Sequence, residues 1–320
     1  MKKAIGIIAL VAIAAVFIVI GIIRKGSSLD ERRIAVIPKG TSSVFWESVR
    51  LGAQKAGDEF DYEISWNGPE LESDRERQIQ IVEDFIALKV AGVVLAPNGS
   101  NALVPKVEEM FAKNMPCVII DSEIDTDKYV SFAATNNYQG GVIAARRMGK
   151  ILNGKGKVIV TKFMPGSGST TNRENGFIDT IEKEFPDIEI VDTKYGMATV
   201  ETALQAAEDL LTKHAQLDGL YASNASTSVG SAQALQSQGR ADKIKMIGFD
   251  AEETLIDKLR SGVVDSLVVQ DPYKMGYVGV KTLVDKINGK EVPKVIDTGV
   301  ELVTLERLEE PKIKALLNLK

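Results

Sequence analysis

Short runs rich in β-branched residues recur along this chain, with helical patterns between most of them. The runs fall at 34–38, 62–66, 92–96, 117–121, 158–163, 188–191, 220–222, 245–249 and 266–270. Apolar residues at helical spacing mark the intervening segments. Ile79, Val82, Phe85 and Ile86 make one face, and Leu204, Ala207, Leu210 and Leu211 make another. Strand–helix–strand alternation of this kind builds a parallel sheet with helices on both sides. Unbroken apolar strands such as Val158-Ile159-Val160 suit a sheet buried on both faces. The expected fold class is therefore α/β, with doubly wound parallel sheets.

From Ala4 to Ile23 no charged, strongly polar or proline residue occurs. About 20 apolar residues suffice to cross the hydrocarbon core of a bilayer. Lys2 and Lys3 precede the run, and Arg24 and Lys25 follow it. A secretory signal has a similar layout, but its apolar region is shorter and ends in a small-residue cleavage pattern that is missing here. A lipidated anchor would need a cysteine just after the run, and the only cysteine is Cys117. The expectation is a retained membrane helix, with a cleaved signal as the alternative. Either puts the body outside the cytoplasm, with Gly26-Ser27-Ser28 as a short linker.

Charge and residue usage exclude several function classes. Four of the 39 basic residues flank the apolar run, leaving 35 against 44 acidic ones in the body, a net of −9. Nucleic-acid binders carry a basic footprint, so no nucleic-acid partner is expected. Cys117 lies in the apolar stretch Pro116-Cys117-Val118-Ile119-Ile120 and reads as a buried hydrophobe. His214 is the only histidine, which leaves little material for a histidine metal site or a Ser-His triad. Neither a metal nor a cofactor is expected. The loop Pro165-Gly166-Ser167-Gly168-Ser169 lacks the Gly-Lys-Ser/Thr ending of a phosphate cradle.

Ligands of open parallel sheets bind beyond the carboxyl ends of the strands. At those positions stand Asp121, Asn224, Asp250 and Gln270; Arg173 and the pair Phe45 and Trp46 open helices after strands. Two carboxylates, a guanidinium, two amides and aromatic faces are what a sugar needs. Carboxylates and amides exchange hydrogen bonds with hydroxyls, the guanidinium donates several from a rigid fork, and rings cover the C–H face. Adjacent aromatics on one helical turn cannot face the same way, so Phe45 is expected at the ligand more firmly than Trp46. Each residue also has a structural reading. Asp250 with Glu253 has capping-box spacing, as do Thr171 and Glu174, which would aim Arg173 outward into an open cleft. Asp271-Pro272 reads as a helix N-cap followed by a first-turn proline.

Five stretches in order resemble the sugar-type periplasmic binding proteins, such as the ribose-, xylose- and galactose-binding proteins. They are Gly52-Ala53-Gln54-Lys55-Ala56, Thr170 through Phe177, Asn224 ahead of its helix, Ile247-Gly248-Phe249-Asp250, and Gln270-Asp271-Pro272 with Gly276. The ligand domain of lactose-repressor-like regulators shares that fold. The resemblance runs from about Arg32 onward. It implies two lobes, one at 30–135 plus 271–298 and the other at 136–270 plus 299–320. The hinge crossings would lie near 134–136, 270–271 and 297–299. It also implies that Phe45, Trp46, Asp121, Ser122, Arg173, Asn224, Asp250 and Gln270 hold a monosaccharide, and that no reaction is catalysed. A pentose such as xylose or ribose is the implied class. Ser122 and Ser43 stand where ribose binders often carry arginine and asparagine, which weighs against ribose. A polyol or furanone-type signal is the alternative ligand, and a carboxylate-dependent glycosidase the alternative of another class. The implied partner is an ABC permease or a membrane sensor histidine kinase.

Overall fold

The computed structural model describes residues 32–319, so the segment from Ala4 to Ile23 lies outside it. Two six-stranded sheets of matching layout carry the chain. The first contains β1 (Arg33–Ile37), β2 (Glu63–Trp66), β3 (Gly92–Leu95), β4 (Cys117–Ile120), β5 (Ser131–Ala134) and β11 (Val295–Asp297), in the order β11-β5-β4-β3-β1-β2. The second contains β6 (Lys155–Lys162), β7 (Asp187–Tyr195), β8 (Gly219–Ala222), β9 (Lys245–Phe249), β10 (Ser266–Gln270) and β12 (Val300–Thr304), in the order β12-β10-β9-β8-β6-β7. Strand for strand, β4 therefore corresponds to β9 and β5 to β10.

The helices are α1 (Val44–Phe60), α2 (Arg75–Leu88), α3 (Val104–Ala112), α4 (Asn137–Ile151), α5 (Gly168–Glu184), α6 (Val200–Lys213), α7 (Ala225–Ser237), α8 (Glu253–Arg260), α9 (Pro272–Ile287) and α10 (Pro311–Leu317). An α/β fold of two parallel-sheet lobes is what the alternation implied. One edge departs from it, because β12 pairs with β10 antiparallel. β5, β11 and β12 were not among the nine expected runs. β5 is four residues opening on a serine, β11 is three residues with exposed ends, and β12 is half-buried for most of its length. None carries a long apolar signal, and each is held by its neighbour in the sheet.

Both faces of each sheet are covered, which explains the unbroken apolar strands. Ile34 and Val36 join one buried cluster while Ala35 and Ile37 join another on the opposite face. In the second sheet Leu220 and Ala222 face one cluster and Tyr221 the other. Successive residues of a strand point to opposite faces, so only a strand buried on both sides can be apolar throughout.

The chain passes between the sheets three times, after β5, after β10 and after β11. Hydrogen bonds tie these crossings together. Thr298 N donates to Ala134 O at 3.0 Å, Asn136 N to Asp297 Oδ1 at 3.3 Å, and Lys274 Nζ to Thr298 O at 3.1 Å. The helix after each of the first two crossings packs against the opposite sheet's first helix, α9 on α1 and α4 on α5. Glycines allow both pairs their closeness. A Cβ on Gly276 would stand 2.0 Å from Val49 O and one on Gly52 1.9 Å from Tyr273 O. In the other pair, a Cβ on Gly141 would stand 2.0 Å from Arg173 O and one on Gly176 2.1 Å from Tyr138 O. Gly276→Ala should therefore force α9 off α1 and cost about 1–3 kcal/mol or more. Chemical denaturation measures that loss, and unchanged stability would contradict the packing.

Asp271 caps α9 as its spacing suggested, accepting from Lys274 N at 2.8 Å. The other two stretches with capping-box spacing, Thr171 with Glu174 and the alternative reading of Asp250 with Glu253, do not form a box. α5 begins at Gly168, so Thr171 lies inside the helix, and Glu174 Oε1 instead accepts from Phe163 N at 3.1 Å and Ser223 Oγ at 2.9 Å. α8 has Glu252 at its N-cap, which leaves Asp250 free for other contacts. A capping box does form at α7, between Asn224 and Thr227.

Candidate functional site

β4 and β9, corresponding strands of the two sheets, each end in an aspartate with left-handed backbone. Asp121 has φ 63° and Asp250 has φ 69°. Aspartate tolerates this region better than most residues, and such conformations cluster at functional sites. Both carboxyl groups line one cavity between the sheets, of about 360 Å³. Pockets for small molecules run from roughly 300 to 1,000 Å³, so this one suits a compact ligand.

On the side of the second sheet Asp250 is the centre. Its Oδ1 accepts from Gln270 Nε2 at 2.6 Å and its Oδ2 from Ala225 N at 3.0 Å. Arg173 Nη1 lies 3.8 Å from Oδ2. Burial pushes the Asp250 carboxyl above the usual range, opposed by the Arg173 charge and by those hydrogen bonds. Gln270 Oε1 is buried and has no hydrogen-bond partner among the described residues. Asn224 lines the same wall, its Oδ1 engaged by Thr227 N at 3.1 Å.

Arg173 differs from the open-cleft expectation. It is 2% exposed, donates from Nε to Asn137 Oδ1 at 2.8 Å and from Nη1 to Ser223 O at 3.1 Å, and lies 3.9 Å over the Phe249 ring. The tight contact of α4 with α5 buries it, so the guanidinium is held rigidly while still lining the cavity.

On the side of the first sheet the centre is Asp121, and its partner is Lys39, just beyond β1. The buried ammonium lies 2.5 Å from Asp121 Oδ2 and donates to Ser169 Oγ at 3.1 Å. Ser122 does not line the cavity. Its hydroxyl stands behind the pair, donating to Asp121 Oδ2 at 3.0 Å and accepting from Ser169 N at 3.2 Å. Gln78, fully buried, fixes the Lys39 approach by donating to Pro38 O at 2.9 Å and Ala96 O at 2.7 Å.

Phe45 and Trp46 both line the cavity and meet edge to face, 4.9 Å apart at 87°. Phe45 is half-buried, whereas Trp46 is 2% exposed and donates its indole N–H to Glu72 Oε1 at 2.7 Å. Trp66 packs against the apolar cluster that contains Trp46. Burial raises the Glu72 pKa, with Lys39 and the indole opposing. Burial also raises Glu252, which Asp250 reinforces.

Seven of the eight expected residues thus meet at one cavity, with Ser122 behind it. Lys39, Ser169, Glu72 and Glu252 were not among them. Lys39 was readable from its place one residue past a strand-ending proline; Glu72, in the loop before α2, carried no such sign. The lobes also touch around the cavity. Arg75 Nη2 donates to Pro165 O at 2.8 Å and Asn172 Nδ2 to Glu123 Oε2 at 2.9 Å, so this is a closed arrangement. Cys117 is buried, its thiol pushed up to about 12, and is inert. Among the described residues no cluster could hold a metal ion, and no helix is long and apolar enough to cross a membrane.

The periplasmic binding protein domain family matches residues 34–291, and the chain belongs to that family. It is similar to the D-ribose/D-allose-binding protein of Pseudomonas aeruginosa, 28% identical over 287 residues that cover 86% of this chain and 89% of the relative. Among solved structures it is similar to a carbohydrate transporter solute binding protein from Agrobacterium radiobacter in complex with D-arabinose. That pair is 37% identical with a TM-score of 0.87, covering 89% of this chain and 98% of the other. An Agrobacterium vitis ABC transporter solute binding protein with bound D-fucose is 36% identical with a TM-score of 0.85, covering 88% and 98%. The chain is therefore a sugar-binding protein of the ABC-transporter type, not an enzyme, and its family is extracytoplasmic.

Proposed function

We propose that this chain is a receptor that closes its two lobes on one neutral monosaccharide, of pentose or 6-deoxyhexose size. The observation that carries the reading is the division of the site. Lys39, Asp121 and the aromatic pair come from the first sheet's side, and Arg173, Asn224, Asp250 and Gln270 from the second's. Neither half surrounds a ligand alone, so a ligand touching both favours the closed state by differential affinity. The lobes are taken as 30–135 plus 271–298 and 136–270 plus 299–320, with the three crossings as the hinge. Hydrogen bonds to charged groups contribute about 1.5–3 kcal/mol each, and a few of them, less ordering costs, reach a micromolar constant near −8 kcal/mol.

Charge narrows the ligand further. Lys39 pairs with Asp121 and Arg173 faces Asp250, while Glu72 and Glu252 add two carboxyls that form no ion pair among the described residues. Such a cavity disfavours uronates and sugar phosphates. D-arabinose and D-fucose, bound by the two similar proteins, are the first candidates, with xylose beside them. A thermal-shift panel on the full chain in a sugar-free zwitterionic detergent tests this. A neutral pentose or hexose should raise the melting temperature while uronates, amino acids and nucleosides do not. Stabilisation by amino acids or nucleosides alone would contradict the reading.

The sugar is delivered to an ABC permease, with the segment from Ala4 to Ile23 as a retained tether. So short a leash raises the effective concentration for a partner in the same membrane. That geometry equally serves a membrane sensor kinase. Mass spectrometry of the protein from its native membrane should find the N-terminal peptide attached; a mature terminus near Gly26 would remove the tether.

A further inference from the structure

We propose that Glu72 reads one particular hydroxyl of the ligand and so sets which sugars the cavity accepts, a role that rests on the sugar-receptor reading above. Glu72 belongs neither to a strand end nor to a helix-opening turn, the two kinds of position that supply most of the other site side chains. It lies in the loop between β2 and α2, and that loop is fastened to the segment just after Lys39. Thr41 N donates to Glu70 O at 3.3 Å and Thr41 Oγ1 to Pro69 O at 3.3 Å. Gly40 permits the approach, since a Cβ there would stand 3.0 Å from Glu72 Cγ and 3.3 Å from Glu72 N. The backbone of Glu72 is thus placed by the same segment that carries Lys39.

Its side chain is placed as firmly. Oε1 accepts the indole N–H of Trp46 at 2.7 Å, and that indole is 2% exposed. One carboxyl oxygen is therefore committed to the aromatic wall, and the other has no hydrogen-bond partner among the described residues while Glu72 lines the cavity. Asp250, by contrast, has both oxygens engaged, by Gln270 and by Ala225 N. A carboxyl oriented at one oxygen and open at the other discriminates well. An analogue lacking the matching hydroxyl leaves a desolvated acceptor unpaired, which costs more than the lost bond. Burial raises the Glu72 pKa, and the Lys39 charge and the indole N–H oppose it.

The test is a double-mutant cycle by calorimetry on the full chain in a zwitterionic detergent. The probes are D-xylose, D-arabinose, D-galactose and D-fucose, with monodeoxy analogues of each. Wild-type protein should lose at least about tenfold in affinity on removal of one specific hydroxyl. Glu72→Ala should lose a similar factor for the parent sugar, yet bind that one deoxy analogue as the wild type does. Its losses on the other analogues should match its loss on the parent. Glu72→Gln retains an acceptor for the indole, so it should keep the wild-type melting temperature while its coupling to the same hydroxyl shrinks. An equal loss on every analogue would show that Glu72 acts only through Trp46 and would overturn the proposal, as would no loss at all. Wild-type protein that binds none of these sugars would overturn the receptor reading itself.

Discussion

Arg173→Ala is expected to weaken sugar binding at least thirtyfold and also to destabilise the fold. The first effect follows from losing a charged donor in the cavity, about 2 kcal/mol or more. The second follows from what the guanidinium holds. Asn137 Oδ1 and Ser223 O lose their donor, the Phe249 ring loses its cation, and Asp250 is left buried without one. Breaking a buried charge pair by removing one partner costs about 3–5 kcal/mol. Arg173→Lys separates the two effects. Its ammonium keeps the charge opposite Asp250 but not the planar fork, so stability should recover in part while affinity stays low. Calorimetry with thermal unfolding reads both quantities. A folded Arg173→Ala protein with affinity within about twofold of wild type, well inside a 1 kcal/mol change, would remove the residue from the site.

Lys39 gives the second large effect, and a sharper one. Lys39→Met leaves the Asp121 carboxylate buried without its ammonium, and a loss of about 3–5 kcal/mol is expected. The double variant Lys39→Met with Asp121→Leu removes both charges. Replacing a whole buried pair by apolar side chains is often neutral or stabilising by about 1–4 kcal/mol. The double variant should therefore be at least as stable as wild type, yet fail to bind any monosaccharide. Chemical denaturation and calorimetry together decide the matter. If the double variant stays as unstable as the single one, the pair serves folding; if it still binds sugar, the pair lies outside the site.

The parts of the fold legible in the sequence were those set by local pattern. β4, and the stretches 34–37 of β1, 158–160 of β6 and 246–249 of β9, are apolar because both faces are buried there, and the runs state as much. β5, β11 and β12 are short or half-buried, and β11 and β12 pair with strands from earlier in the chain, so no local signal marks them. The candidate site divides the same way. Asp121, Asn224, Asp250 and Gln270 stand where strands end, a position that sequence reveals. Glu72 reaches the cavity only because Gly40 admits its loop, and Arg173 is buried only because Gly141 and Gly176 let α4 and α5 meet. Those are contacts between distant segments. The capping box at Thr171, and the alternative capping reading of Asp250, failed for a related reason. The spacing was present, but Glu174 and Asp250 were drawn into longer-range hydrogen bonds with Ser223, Ala225 and Gln270.

A crystal structure of the protein with the most strongly stabilising monosaccharide tests the two-lobe clamp most directly. The sugar should lie in the cavity with hydroxyls within hydrogen-bond distance of Arg173 and Asp250 on one side and of Lys39 or Asp121 on the other, and a ring face against Phe45 or Trp46. A sugar held by one lobe alone, or seated outside this cavity, would contradict it.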